Sequence, residues 1–162
     1  MKDVYIGLGS NKGDKQRNIA AAVSFIAERA GELIQTSSIY RTPPWGFDSD
    51  QDFYNALIHV QTAMTPLELL SCLKMIETDM GRQQRKEGAG YQDRIIDLDI
   101  IDYHGEVISM DQITIPHERM HERDFVLYPL QELEKNWIHP VTQKTVFEYI
   151  QELENTSKIS RL

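Results

Sequence analysis

The sequence predicts an α+β fold of the ferredoxin-like type, a βαββαβ core with extra strand and helix elements toward the C-terminus. Three observations carry this. Ile19, Ala22, Val23, Ile26 and Ala30 recur at helical spacing between two strand-like stretches. Thr65-Pro66-Leu67-Glu68 joins an N-cap, a proline at the first helical position and a glutamate two residues later, the signature of a second helix start. Strand-like segments flank both helices, so the elements run strand–helix–strand–strand–helix–strand.

"VYIGL" (4–8) reads as the first strand and "GSNKGD" (9–14) as a turn, with Asp14 placed to cap the helix from Lys15 to Ala30. Gly31 stops that helix. "ELIQTSSIY" (32–40) reads as one strand. A loop rich in Pro, Gly and Asp (41–52) follows, and loops of that length in compact domains are often functional. In "FYNALIHVQT" (53–62), Phe53, Asn55, Leu57 and His59 share one face; Tyr54, Ala56, Ile58 and Val60 share the other. The second helix buries Leu69, Leu70, Leu73, Ile76 and Met80 and ends at Gly81. A basic loop (82–93) leads into the strand "RIIDLDIID" (94–102), and "EVIS" (106–109) is expected to pair back on it across Gly105. A helix is expected from Asp124 and another over Thr145–Leu153. The chain, 1–162, is expected to be one domain whose tail frays from about residue 155.

Composition narrows function. Apolar residues at 41% and charged residues at 26% suit a globular chain, and a net charge of −8 opposes binding that relies on attraction to nucleic-acid phosphates. Cys72 is the only cysteine, which excludes a disulfide framework. No signal-peptide pattern or membrane-length apolar run is present, so a cytoplasmic location, with neither membrane nor nucleic acid as partner, is the expectation.

Asp97 and Asp99 are the chemical anomaly. At positions i and i+2 of a strand they point to one face, about 6.5–7 Å apart at Cα. Two bare carboxylates at that spacing repel by roughly 2–3 kcal/mol in a surface-like dielectric, and a cation removes the penalty. Hard oxygen ligands suit magnesium, which takes one or two carboxylates and keeps its remaining positions for water and phosphate oxygens. An acidic solvated edge strand is the plain alternative.

The loop before the acids weighs against that alternative. Arg82, Arg85, Lys86 and Arg94 crowd into thirteen residues leading to the pair, and guanidiniums beside metal-binding carboxylates are the two halves of a phosphoryl-transfer site. For Arg85 and Lys86 taken singly, a solvated charged loop explains as much. "YRTPPWGF" and Phe53 suggest a pocket for a flat molecule, with Asn55 on the same strand face able to read a polar edge. His117 and Arg123 in "IPHERMHERDF" suit phosphate or nucleotide contacts better than a His117/His121 metal pair. Gly7-x-Gly9-x-x-x-Gly13 misses the dinucleotide fingerprint and reads as a tight strand-to-helix turn.

Taken together, "GLGSNKGD", "YRTPPWG", "FYNA", "IE…GR", "R-x-IDLDI", "IPHERMHERDFVLYPL" and "HP" resemble, in order and spacing, the 6-hydroxymethyl-7,8-dihydropterin pyrophosphokinase family. The resemblance implies a monomer that transfers diphosphate from ATP to the dihydropterin in folate biosynthesis, releasing AMP. It implies two Mg2+ ions on Asp97 and Asp99, and catalytic arginines at Arg82 and Arg94. The pterin is implied between Phe53 and Phe125, with Asn55 and the backbone of Thr42, Pro43, Pro44 and Trp45 on its edge. ATP is implied at Glu77, Arg85, Lys86, Tyr91, His117 and Arg123, with adenine near Ile100, Gln112 and Thr114. The family commonly reads Arg-Trp-Gly-Pro-Arg before "IDLD"; this chain has Gly90-Tyr91-Gln92-Asp93-Arg94, with Tyr91 in place of the Trp and no preceding Arg. That departure supports a rival reading, a binding module that holds pterin or nucleotide without turnover. A metal-dependent nuclease fits poorly with the charge of −8.

Overall fold

The computed structural model describes residues 1–43, 51–81, 95–153 and 159–162. They form a mixed α/β fold with β1 (Lys2–Ser10), α1 (Lys15–Arg29), β2 (Glu32–Thr36), β3 (Tyr40–Thr42), β4 (Phe53–Thr62), α2 (Pro66–Asp79) and β5 (Asp97–Tyr103). Then come β6 (Ile108–Ser109), β7 (Thr114–Ile115), α3 (Asp124–Leu133), α4 (Val146–Gln151) and β8 (Ser160–Arg161). The main sheet runs β5-β1-β4-β3-β8, with β2 also on β4, and every described pairing is antiparallel.

Both long helices start as their sequences dictate. Asp14 accepts the amide of Arg17, and Thr65 and Glu68 form the reciprocal capping box of α2. After α1 the chain passes so close to β4 that a Cβ on Gly31 would lie 2.2 Å from the Gln61 carbonyl oxygen, so only glycine fits there.

The sheet has two faces and two cores. On one, Val4, Ile6 and Leu8 of β1, Ile58 and Val60 of β4, and Leu98 and Ile100 of β5 pack with Ile19 and Ile26 of α1 and Leu69, Leu73 and Ile76 of α2. On the other, Tyr5, Leu57 and Ile101 pack under Val126, Leu127 and Leu130 of α3 and Val146 and Tyr149 of α4. A bulge helps divide them. Tyr5 pairs with Asp102 and Ile6 with Ile100, so Ile101 is the extra residue of β5.

Four expectations are corrected. First, β1 continues through Ser10, so Gly9 and Ser10 lie inside the strand and not in the turn. Second, residues 32–40 are not one strand. Ser37 accepts the Leu57 amide on its side chain, and Ser38 turns to the Glu132 carboxylate, so the ladder breaks between β2 and β3. Third, Ile108–Ser109 pairs with Thr114–Ile115, not with β5. Fourth, Ser160–Arg161 is paired on β3 where fraying was expected. Among the described residues no helix is long and apolar enough to cross a membrane.

Candidate active site

The α3/α4 face of the sheet is not covered along its whole length. Beyond the start of α3 the sheet carries Gly7 and Gly9 on β1, Phe53 and Asn55 on β4, and Asp97 and Asp99 on β5, and these line a cavity. Gly9 pairs with Asn55 on one side and Asp97 on the other; Gly7 pairs with Leu57 and Asp99. The central strand therefore contributes no side chains between the aromatic-amide row and the acid row. A Cβ on Gly9 would sit 2.9 Å from Asn55 Oδ1 and 3.7 Å from the Phe53 ring. The space exists because those two positions are glycine, a role the sequence reading missed when it put Gly9 in a turn and gave Gly7 no part in the site. The signal available was their i, i+2 spacing beside "YI" at the head of a strand.

The walls come from the flanking elements. Thr42, 2% exposed, ends β3 and accepts a hydrogen bond on Oγ1 from Asn55 Nδ2 at 3.0 Å. That contact fixes the amide and turns its oxygen toward Gly9. Phe125, Val126 and Arg123 close the α3 side, with the Arg123 guanidinium 5.5 Å from the Phe125 ring centroid. Arg123, expected on the nucleotide side, thus stands on the wall of this first cavity.

A second, more polar cavity opens on the outer side of β5. Asp99, Ile100, Asp111, Gln112, Thr114, His117 and Glu118 are among its lining residues. His117 is held beside the edge of β5 by its own amide, which donates to the Ile101 carbonyl at 2.9 Å. Its Nδ1 accepts the Arg119 amide at 3.2 Å, which leaves the neutral ring's proton on Nε2. Burial, then the positive charge of Arg123, push its pKa down to about 4 against the pull of Asp97.

Asp99 lines both cavities, and Asp97 lines the first. Beneath them Glu77, 6% exposed on α2, accepts the Leu98 amide at 2.9 Å. Glu77 supports the acid-bearing backbone from below and is not on the wall of the second cavity. Pro43 follows β3 at the border of the described residues. Pro44, Trp45, Arg82, Arg85, Lys86, Tyr91 and Arg94 lie outside them.

No group of three or more His, Cys, Asp or Glu able to hold a metal occurs among the described residues. Two carboxylates on one strand face, open to two cavities, suit a hard cation that completes its shell with water and phosphate oxygens. An apolar cavity and a polar cavity that meet at a carboxylate form the layout of a two-substrate transferase.

The comparisons with known proteins specify that class. Residues 5–135 match the model of the 7,8-dihydro-6-hydroxymethylpterin-pyrophosphokinase (HPPK) family, and the chain belongs to that family. A 2-amino-4-hydroxy-6-hydroxymethyldihydropteridine pyrophosphokinase of Aquifex aeolicus is 38% identical over 158 residues, 98% of this chain and 95% of the relative. One from Methylorubrum extorquens is 43% identical over 136 residues, 82% of this chain and 83% of the relative. The fold also matches a wild-type Plasmodium falciparum HPPK-DHPS crystal structure with pteroate, at a TM-score of 0.74 and 15% identity. There 93% of this chain spans 44% of the longer solved chain, so that likeness concerns the fold alone.

Proposed function

We propose that this chain transfers the terminal diphosphate of ATP to the hydroxymethyl oxygen of 6-hydroxymethyl-7,8-dihydropterin, giving AMP and the pterin diphosphate for folate biosynthesis. Its membership of the pyrophosphokinase family supports the reaction class. The observation that carries the proposal is the position of Asp99 on the walls of both cavities, where a group passing from one ligand to the other must travel.

In this reading the dihydropterin ring enters the first cavity between Phe53 and Phe125, with the Asn55 amide and the Thr42–Pro43 backbone on its polar edge. ATP lies in the second, with adenine near Ile100, Gln112 and Thr114 and its phosphates toward His117 and Asp99, reaching past them to Asp97 and Arg123 on the wall of the first. Neutral His117 donates from Nε2 at physiological pH and adds no charge. The hydroxymethyl oxygen forms a bond to the β-phosphorus while the bond from that phosphorus to the α–β bridging oxygen breaks, and AMP leaves with the bridging oxygen. Asp97, which lines the pterin cavity, would assist departure of the hydroxyl proton to solvent water, the bound metal making that hydroxyl more acidic. Asp97 and Asp99 would hold two Mg2+ ions, which supply charge neutralisation on the phosphate oxygens. Arg82 and Arg94, from the loop and strand entry preceding the acids, are assigned to the same oxygens, and Arg85, Lys86 and Tyr91 to ATP. Pro44 and Trp45 belong with the pterin edge.

The same reading takes the chain as a single ferredoxin-like domain that works as a cytoplasmic monomer. Incubation with ATP, magnesium and 6-hydroxymethyl-7,8-dihydropterin is expected to yield AMP. ADP as the product would mean transfer of one phosphoryl group and would overturn the proposal. Pterin binding with no AMP would make the chain a binding module.

A further inference from the structure

We infer that Lys15 is a positioning residue for the pterin site, acting through the sheet from the helix side. This rests on the pterin reading of the first cavity. Lys15 opens α1, and its Nζ donates to the Asp52 carbonyl oxygen at 3.0 Å. The same ammonium lies 4.8 Å from the Tyr54 ring centroid. Asp52 and Tyr54 are the two neighbours of Phe53, so one cation grips the chain on both sides of the residue that lines the cavity. Arg41 Nε approaches the Asp52 carboxylate at 3.9 Å from β3, so the entry to β4 is held by two cations.

Helix α1 has no use for this lysine. Its cap is the contact from Asp14 to the Arg17 amide. A cation in the first turn opposes the helix dipole. The placement is explained by what the ammonium reaches, not by the helix that carries it. Because β4 residues alternate between faces, a grip on Asp52 and Tyr54 fixes the backbone from which Phe53 projects into the cavity. Lys15 thereby sets the distance between that ring and Phe125 without touching either ligand.

The test compares Lys15→Met, which keeps length and removes the ammonium, with Lys15→Arg, which keeps a donor and a cation. In Lys15→Met the KM for the dihydropterin should rise about five- to tenfold with the KM for ATP changed by less than about twofold, and Lys15→Arg should recover most of the loss. Backbone amides of Phe53 and Tyr54 should exchange hydrogen faster in Lys15→Met, with those of α1 unchanged. An unchanged pterin KM, a parallel rise in both KM values, or unchanged exchange at Phe53 and Tyr54 would overturn the inference. Should the wild-type chain form no AMP, the proposed reaction fails, and the exchange measurement alone decides the positioning role.

Discussion

The buried carboxylate of Glu77 accepts the backbone amide of Leu98, the residue between the two aspartates, at 2.9 Å. Among the described residues β5 ends the sheet, and α2 supplies the acceptor for this amide. Glu77→Ala should therefore cost about 1–3 kcal/mol of stability in urea unfolding, the range for a stranded buried donor. Glu77→Gln keeps an acceptor oxygen and should lose less. Turnover should fall in both variants, because the backbone that aims Asp97 and Asp99 is released.

Asp97→Asn and Asp99→Asn test the acids themselves. Each should lower kcat by about 10²–10³, the scale of losing one preorganised electrostatic contact at a reacting centre. Full activity in either variant would remove that residue from the site.

Gly9→Ala would place a methyl 2.9 Å from Asn55 Oδ1, closer than real contacts allow. The amide must shift, and with it the bond to Thr42. The pterin KM should rise by about tenfold or more, while ATP binding, measured by calorimetry, stays near wild type.

His117 ties stability to pH. Its folded pKa, about 4, lies below the ordinary value of 6.5, so protons bind the unfolded chain more readily. The stability that depends on a neutral ring is present above pH 6.5 and is lost as pH falls toward 4. Metal-free wild type should lose stability relative to His117→Gln across that window, by about 2 kcal/mol. Equal pH profiles for the two would show that the ring titrates normally.

Much of this architecture was legible in the residues. The Asp14 cap, the Thr65–Glu68 capping box, the faces of β4 and the outward pair Asp97/Asp99 follow from local spacing, which strands and helices obey wherever the pattern is strong. What escaped depends on partners distant in sequence. Ser37 breaks a strand because Leu57 lies opposite, and Glu77 matters because Leu98 lies on an edge. The role of Gly7 and Gly9 was hidden for a different reason. Their contribution is an absence of side chain between two rows, visible only after the register of β1 against β4 and β5 is known.

The exposed margin of β5 has a second consequence. An edge strand offers its free amides and carbonyls to any passing chain and so invites sheet-to-sheet association. Here Glu77 occupies the Leu98 amide and the His117 amide occupies the Ile101 carbonyl, so two of those groups are already taken. The contacts that steady the acids thus also keep the strand from recruiting a neighbour. Variants that free them should be judged by their tendency to self-associate as well as by their turnover.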